Sequence, residues 1–264
     1  MSTRRYAVIG DPISHSLSPL MQRGWIEDHG LDASYEAVLL RSDDPVSAIR
    51  GLTQFSGLNV TAPHKRAAAE AADRSESEVA NTLRREADGS LSAFSTDGPG
   101  FLASLQEAAP GWRARTGNVL LIGAGGAAQA IAEALDSAFD LRILNRTFSR
   151  AAELAERTPR AEPARWEAMD ACFAAADLIV NTTTMSDESM DWPVSHCREG
   201  AVVADIVYTP LETALLKAAR ERGLIAIDGL GMLIHQGALA FEIWHGVKPD
   251  AAKARARLMR ALST

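Results

Sequence analysis

The sequence has few of the residues that cross-link a chain or carry it into a membrane. Its 264 residues include only two cysteines, Cys172 and Cys197, which lie far apart and lack CxxC spacing. A disulfide between them stays open, but the spacing does not support a zinc site, and we expect no bound metal. No apolar run approaches the ~20 residues of a spanning helix, and the N-terminal run is too short for a signal peptide. We therefore expect a cytoplasmic protein with no membrane partner.

Positive charge is also scarce. Lys and Arg number 27 against 34 Asp and Glu, which gives a formal net charge of −7. Nucleic-acid binding needs clustered Lys and Arg to neutralise phosphates, so we expect no nucleic-acid partner and interpret the charge as serving solubility. The hydrophobic content of 47% and charged content of 23% are those of an ordinary globular protein, and the length allows two domains.

Short apolar runs alternate with helical patterns along the chain, which predicts an α/β protein with parallel sheets. The predicted strands of the first part are YAVIG, SYEAVLL and GLNVT, followed by a β-hairpin that turns at Asp88-Gly89. The pattern restarts after the helix GFLASLQEAA, with strands NVLLI, LRILNR, DLIVNT, AVVADIV and LIAIDG, and it ends in two helices. We predict a first domain of residues 1–98 joined by C-terminal helices 233–264, and a second domain of residues 99–232.

A glycine-rich turn follows the strand NVLLI and precedes a helix. Its residues fit the G-x-G-x-x-G/A fingerprint, and the ones that carry the fit are Gly123, Gly125, Gly126, Ala127 and Ala128. In this strand–turn–helix context the motif predicts a dinucleotide site, because the glycines let the backbone approach a pyrophosphate at the helix N-terminus.

The end of the next strand indicates which dinucleotide binds. NAD enzymes place a carboxylate there for the ribose 2′-hydroxyl, whereas this chain has Asn145, Arg146 and Thr147, with Arg150 one helical turn later. Either arginine could be a solvated charge at the start of a helix. The missing acid and the available base both favour NADP, since a guanidinium pairs well with a 2′-phosphate.

Polar residues also stand at the ends of apolar runs in the first domain, where a substrate site could form. Ser16 and Ser18 lie two apart, so in an extended segment their hydroxyls would share one face and suit a carboxylate. The two serines could equally be turn and N-cap residues, and Ser18, directly before Pro19, is the N-cap candidate. Lys65 is misplaced beside the positive end of a helix, although taken alone it would be a solvated surface lysine.

The sequence resembles the shikimate dehydrogenase family over nearly its whole length. The matching motifs, in order, are GDPISHSLSP (10–19), NVTAPHK (59–65), NT (81–82), TDGPGF (96–101), GAGGAA (123–128), NRT (145–147), DIVYTPLETALL (205–216) and GLGMLIHQGALAFEIW (229–244). The resemblance implies an NADP-dependent oxidoreductase of aromatic amino acid biosynthesis that reduces 3-dehydroshikimate to shikimate. It also implies an N-terminal α/β substrate domain with a Rossmann-type, doubly wound NADP-binding domain, in a monomer or a homodimer.

The resemblance further implies a role for each matching residue. Lys65 would exchange the proton as ketone and alcohol interconvert, and Asp97 would orient it. Ser16 and Ser18 would hold the substrate carboxylate. The remaining contacts implied are Asn59, Asn81, Asp97 and Gln236 to ring hydroxyls, Thr61 and Tyr208 along the pocket, and Gly229 and Met232 against the nicotinamide.

The chain departs from the family pattern at Gln22, Glu78, Ser95 and Ser186. Because such changes could alter the edge of the pocket, quinate, aminoshikimate or another hydroxy acid stays open as substrate. A non-catalytic protein that binds a nucleotide or metabolite stays open as a different class. The pair Lys65 and Asp97 favours an enzyme, since binding alone needs neither.

Overall fold

The computed structural model describes residues 3–185 and 190–263, so Ser186 lies outside the described residues. The chain forms two compact units. The first unit comprises Met1–Gly100 and Ile234–Thr264, and the second comprises Phe101–Leu233. The assignment of substrate to the first unit and cofactor to the second stays a prediction.

The first unit is a sheet flanked by helices. Its strands are β1 (Arg4–Gly10), β2 (Ala33–Leu39), β3 (Gly57–Val60), β4 (Arg74–Ser75), β5 (Thr82–Arg85) and β6 (Leu91–Phe94). Its helices are α1 (Ser18–Asp28), α2 (Pro45–Gly51), α3 (Lys65–Ala71) and α11 (Ala251–Leu262). Helix α4 (Asp97–Ala108) begins in this unit and ends in the second, whereas α10 (Gly229–His245) begins in the second and ends in this one.

The first sheet has the strand order β2-β1-β3-β5-β6-β4 and is mixed. Strand β1 is parallel to β2 and β3, while β5 is antiparallel to both β3 and β6. The predicted hairpin is therefore the source of the antiparallel pairs. Gly89 in its turn has φ +85, a left-handed conformation that glycine adopts without steric cost.

The second unit alternates strands and helices. Its strands are β7 (Asn118–Ile122), β8 (Asp140–Leu144), β9 (Ala161–Ala164), β10 (Leu178–Asn181), β11 (Val202–Asp205) and β12 (Ile225–Ile227). Its remaining helices are α5 (Trp112–Arg115), α6 (Gly126–Leu135), α7 (Phe148–Arg157), α8 (Met169–Ala175) and α9 (Ala214–Glu221).

All neighbouring strands of the second sheet are parallel, in the order β12-β11-β10-β7-β8-β9. Numbered from β7, this is the 3-2-1-4-5-6 order of a Rossmann fold. Alternating residues of β7 enter opposite cores, since Leu121 packs in one apolar cluster and Leu120 in the other. The predicted Rossmann-type, doubly wound fold is confirmed.

Both cysteines are buried in the second of these clusters, and neither is in a disulfide. Burial raises the pKa of the Cys172 and Cys197 thiols. They are therefore packing residues of the core. No helix in the described residues is long and apolar enough to cross a membrane.

The sequence prediction missed two short strands, β4 and β9, and one local prediction is wrong. Strand β9 was not predicted because its sequence, AEPA, contains Pro163, and proline is tolerated there only because β9 is the edge strand. Ser18 is not the N-cap of α1, since Leu17 occupies that position and Ser18 is already the first helical residue.

Candidate active site

Lys65 and Asp97 form an ion pair between the first residues of two helices. Lys65 starts α3, Asp97 starts α4, and the Lys65 ammonium contacts Oδ2 of Asp97. Their side chains are only 15% and 8% exposed. The lysine thus has a carboxylate partner in a largely desolvated place, which is what offsets its position at the positive end of a helix.

Asn81 connects this pair to the rest of the site. Its Nδ2 lies 3.0 Å from Oδ1 of Asp97, 3.0 Å from Oε1 of Gln236 and 2.8 Å from Oγ1 of Thr96. Its Oδ1 accepts a hydrogen bond from the backbone N of Thr96 at 2.6 Å. An amide nitrogen carries only two hydrogens, so three acceptors share them.

The backbone brings Lys65 and Asn81 together through the loop before β5. The N–H of Ala80 donates to the carbonyl of Lys65 at 2.9 Å, and the N–H of Val60 donates to the carbonyl of Asn81 at 2.8 Å. The ends of β3 and β5 therefore position two polar side chains, 16 residues apart in the chain, at one place.

Gln236 is set by a close approach between α4 and α10. A Cβ on Gly100 would lie 2.6 Å from the backbone N of Gln236 and 2.8 Å from its Cα. Only glycine leaves room for that contact. On the next residue, the Gly237 carbonyl accepts a 3.0 Å hydrogen bond from Nε2 of Gln22, which is buried.

The residues at which the chain departs from the family pattern differ in how buried they are and in what they contact. Gln22 joins α1 to α10 inside the first unit, and Ser95 is half-buried beside Thr96. Glu78 is exposed and pairs with Arg66 at 3.7 Å.

The Asn59 side chain forms hydrogen bonds with other residues of the first unit. Its Oδ1 accepts a 2.7 Å hydrogen bond from the Tyr35 hydroxyl, and its Nδ2 donates to the Asn81 carbonyl at 3.2 Å and to Thr82 Oγ1 at 3.1 Å. Each polar atom of the amide thus has a partner within the protein. Neither Tyr35 nor Thr82 was given a role from the sequence: Tyr35 is a polar group within a buried strand, and Thr82 entered only as part of the NT motif.

The two serines do not lie in an extended segment, because Ser16 ends a turn and Ser18 begins α1. The N–H of Ser16 donates to the Ile13 carbonyl at 3.1 Å, and Oγ of Ser16 accepts from the N–H of Ser18 at 3.3 Å. Thr61 follows β3 in the same unit, and its methyl group fills the space that a side chain on Gly10 would need.

In the second unit, the glycine-rich turn follows β7. Gly123 has φ +112, and a Cβ there would collide with Oγ1 of Thr182. A Cβ on Gly125 would meet no atom within 4 Å. Helix α6 begins at Gly126 and includes Ala127 and Ala128. Gly123 is therefore required by the turn, whereas Gly125 leaves the backbone accessible to a ligand.

The end of β8 carries the predicted basic residues. Nδ2 of Asn145 donates to the Thr147 carbonyl at 2.8 Å, and the N–H of Arg150 donates to the same carbonyl at 3.1 Å. Arg146 and Arg150 are exposed, and within residues 3–185 and 190–263 neither pairs with a carboxylate.

A buried carboxylate, Asp205, organises the loops beyond β10 and β11. Its Oδ2 accepts from Asn181 Nδ2 at 3.1 Å and from Thr213 Oγ1 at 2.8 Å, and its Oδ1 accepts from the Val207 N–H at 3.0 Å. Burial raises the pKa of the Asp205 carboxyl, against the lowering effect of these hydrogen bonds. Burial also raises the pKa of Tyr208, the next residue of this loop.

Gly229 and Met232 lie at the start of α10, in the second unit. A Cβ on Gly229 would overlap the carbonyl of Ile206, so glycine is required for this helix to begin so close to the end of β11. Met232 is buried in an apolar cluster with Phe101. Tyr208, Gly229 and Met232 thus belong to the second unit, whereas Lys65, Asp97, Asn81 and Gln236 belong to the first.

These features define the class of the protein. A Rossmann sheet with a G-x-G-x-x-A turn binds a dinucleotide, and a buried lysine–carboxylate pair is suited to proton transfer. The chain is a dinucleotide-dependent oxidoreductase with two α/β units.

The chain belongs to the shikimate dehydrogenase family. Residues 8–83 match the model of the shikimate dehydrogenase substrate binding domain, residues 105–192 that of shikimate/quinate 5-dehydrogenase, and residues 229–259 that of the shikimate 5′-dehydrogenase C-terminal domain. The NADP(+)-dependent shikimate dehydrogenase of Mesorhizobium japonicum is 43% identical, over 99% of this chain and 98% of that protein.

Two solved structures are similar over nearly the full length. Shikimate 5-dehydrogenase from Thermus thermophilus, in complex with NADP(H) and shikimate, has a TM-score of 0.87 and 36% identity, covering 98% of this chain and 100% of that one. Quinate dehydrogenase from Corynebacterium glutamicum, in complex with NAD, has a TM-score of 0.86 and 30% identity, covering 98% and 99%.

Proposed function

We propose that this protein catalyses the reversible, NADP-dependent reduction of 3-dehydroshikimate to shikimate. The observation that carries the proposal is the buried ion pair of Lys65 and Asp97, with Asn81 and Gln236 hydrogen-bonded beside it. Similarity to NADP(+)-dependent shikimate dehydrogenases along 99% of the chain supports the choice of substrate and cofactor.

Lys65 is the proton donor for the reduction. When bound, the dihydronicotinamide supplies a hydride to the carbonyl carbon of the substrate. Negative charge then develops on the carbonyl oxygen, and the Lys65 ammonium both stabilises that charge and transfers a proton to it. Lys65 becomes a neutral amine and regains its proton from solvent. In the oxidation direction, the neutral amine accepts the hydroxyl proton.

Asp97 keeps the ammonium in place and contacts a hydroxyl of the ring. One of its oxygens is held by Lys65 and the other by Asn81, so the carboxylate cannot rotate freely. Because Asn81 has two hydrogens for three acceptors, the oxygens of Asp97 and Gln236 can accept a further hydrogen from a substrate hydroxyl. Asn81 and Gln236 thereby recognise the hydroxyls of the ring.

Ser16 and Ser18 hold the carboxylate end of the substrate, and Thr61 lines the pocket. Their hydroxyls stand after β1 and β3, which are neighbouring parallel strands, so both turns leave the same edge of the sheet. Asn59, by contrast, acts as a positioning residue, because its amide is already used by Tyr35, Asn81 and Thr82.

The second unit fits NADP. The open backbone at Gly125 would receive the pyrophosphate at the N-terminus of α6. Asn145, Arg146, Thr147 and Arg150 would bind the 2′-phosphate, since two guanidinium groups stand where an NAD enzyme has a carboxylate. Gly229 and Met232 would lie against the nicotinamide, and Tyr208 would line the substrate pocket.

The test is a substrate and cofactor screen on the purified protein. We expect NADPH to be consumed with 3-dehydroshikimate, seen as loss of dihydronicotinamide absorbance, and kcat/KM to be at least about tenfold higher with NADPH than with NADH. Quinate with NADP⁺ is the matched control, and it should react more slowly than shikimate. A higher kcat/KM for quinate would assign a different substrate, and NADPH binding without any turnover would indicate a binding protein.

A further inference from the structure

Arg165 stands beside the residues proposed to bind the 2′-phosphate, although it lies 15 residues beyond Arg150 in the chain. Strands β8 and β9 are parallel, and Leu144 pairs with Ala164. Asn145 and Arg165 are therefore the first residues beyond two paired strands, at the same edge of the sheet. No sequence pattern indicated this, because β9 was not predicted.

An aromatic ring fixes where the Arg165 guanidinium lies. Its Cζ is 4.5 Å from the centre of the Phe148 ring, and Phe148 is the first residue of α7, directly after Thr147. A guanidinium above a phenyl ring is held by a cation–π interaction. A cation–π contact is not a hydrogen bond and uses none of the guanidinium N–H donors, so these can still bind an anion.

The charged residues within and just before β8 and β9 form ion pairs, whereas the arginines beyond the carboxyl ends of these strands do not. Arg142 pairs with Glu162 at 2.7 Å, and Arg160 pairs with Asp140 at 2.6 Å. Within the described ranges, the three arginines at the carboxyl end, Arg146, Arg150 and Arg165, have no carboxylate partner. In a protein of net charge −7, three arginines without a carboxylate partner beyond the ends of two paired strands favour the binding of a dianion there.

We infer that Arg165, held over Phe148, is a third cation of the 2′-phosphate site and strengthens the preference for NADP over NAD. The inference rests on the proposed function, which supplies the cofactor. It adds a specificity-determining residue from β9 to the two arginines that follow β8. Arg165 contributes charge and N–H donors, and Phe148 contributes its orientation.

The test compares two nucleotides that differ in the 2′-phosphate, adenosine 2′,5′-bisphosphate and adenosine 5′-monophosphate, by calorimetry on the full chain. Arg165→Ala is expected to weaken the bisphosphate about three- to tenfold and to change the monophosphate less than about twofold. Phe148→Leu, which keeps all the arginines, is expected to lose part of the same discrimination.

Arg157→Ala is the matched control, because it removes the same charge from the other end of α7. Equal effects of Arg157→Ala and Arg165→Ala, or an Arg165→Ala protein that discriminates as well as wild type, would overturn the inference while leaving the NADP proposal standing. A wild-type protein that binds both nucleotides equally well would instead overturn the cofactor proposal, and the inference with it. No activity is measured, so the result does not depend on the substrate.

Discussion

The Tyr35 hydroxyl donates a 2.7 Å hydrogen bond to Oδ1 of Asn59 in the interior of the first unit. The Asn59 amide then reaches the carbonyl of Asn81 and the hydroxyl of Thr82. Oγ1 of Thr82 is 3.3 Å from that of Thr96, which lies against Asn81. A chain of buried polar groups therefore runs behind the Lys65–Asp97 pair and holds its neighbour Asn81 in place.

Removing the Tyr35 hydroxyl should destabilise the protein. Tyr35→Phe leaves Oδ1 of Asn59 buried without its donor, which costs about 1–3 kcal/mol. Urea denaturation measures this loss. Replacing both partners, with Tyr35→Phe and Asn59→Leu together, should cost less than the sum of the single changes, because neither the Tyr35 hydroxyl nor Oδ1 of Asn59 is then left buried without the other. Additive losses would mean that the hydrogen bond has no energetic role.

Gly100 cannot carry a side chain without moving Gln236. An added Cβ would lie within 2.8 Å of three Gln236 atoms, two of which belong to the backbone. We expect Gly100→Ala to lower the free energy of unfolding by about 1–3 kcal/mol and to raise the KM for substrate, since Gln236 is displaced.

The control is Gly51→Ala, at the exposed end of α2, where a Cβ would meet no atom within 4 Å. Its stability should stay within about 0.5 kcal/mol of wild type or rise slightly. If the two alanine variants were equally stable, the close approach of α4 and α10 would not be a packing constraint.

The sequence predicted the Rossmann-type fold and the glycine turn because the strands, the turn and the helices that define them are each local features. A strand, a turn residue with positive φ and an amphipathic helix each leave a pattern within about 20 residues. The direction of the Asn59 amide was not predictable in this way, since it depends on Tyr35, 24 residues earlier in the chain. The same holds for Gln22, whose partner Gly237 is 215 residues away.

Strand β9 and the position of Arg165 were missed for a different reason. Pro163 argues against a strand in AEPA, so β9 was not predicted. Without β9, the position of Arg165 beside the end of β8 could not be predicted either. The turn at Ser16 depends on a hydrogen bond to the Ile13 carbonyl that no residue pattern specifies.

His245 should make the stability depend on pH. Burial, followed by the nearby charges of Arg4 and His29, lowers the pKa of His245 from 6.5 to about 4. The ring packs against Tyr6 and Phe241, with centroid distances of 4.8 Å and 4.4 Å. Between these pKa values the unfolded chain binds a proton that the folded protein excludes, so stability is expected to fall as pH drops from 6.5 towards 4. Partial exposure of the ring moderates the effect.

Urea midpoints measured across this range check the assignment. His245→Phe keeps an aromatic ring and removes the proton site, so its stability should depend less on pH. His196→Gln, at an exposed histidine of the second unit, is the matched control and should keep the wild-type slope. A His245→Phe protein with the full wild-type slope would assign the pH dependence to other groups.

The strongest effect on turnover is expected at Lys65. Lys65→Met keeps the length of the side chain but removes the ammonium that we propose stabilises and protonates the developing alkoxide. General acid–base catalysis contributes roughly 10²- to 10⁴-fold, so kcat should fall about a thousandfold while KM changes only a few-fold. Asp97→Asn should lose less turnover but raise KM as well, since Asp97 is also proposed to contact a substrate hydroxyl. Steady-state kinetics with NADPH and 3-dehydroshikimate separate the two parameters.

Arg66→Met is the matched control, because Arg66 is the next cation of α3 but its side chain is 54% exposed and pairs with Glu78. Its turnover should stay within about twofold of wild type, since exposed ion pairs contribute little. NADPH binding should be unchanged in Lys65→Met, because the lysine lies in the first unit and the glycine turn in the second. If Lys65→Met kept more than about a tenth of wild-type kcat, the loss would be too small for the principal proton donor, and the ion pair with Asp97 would then be a structural contact.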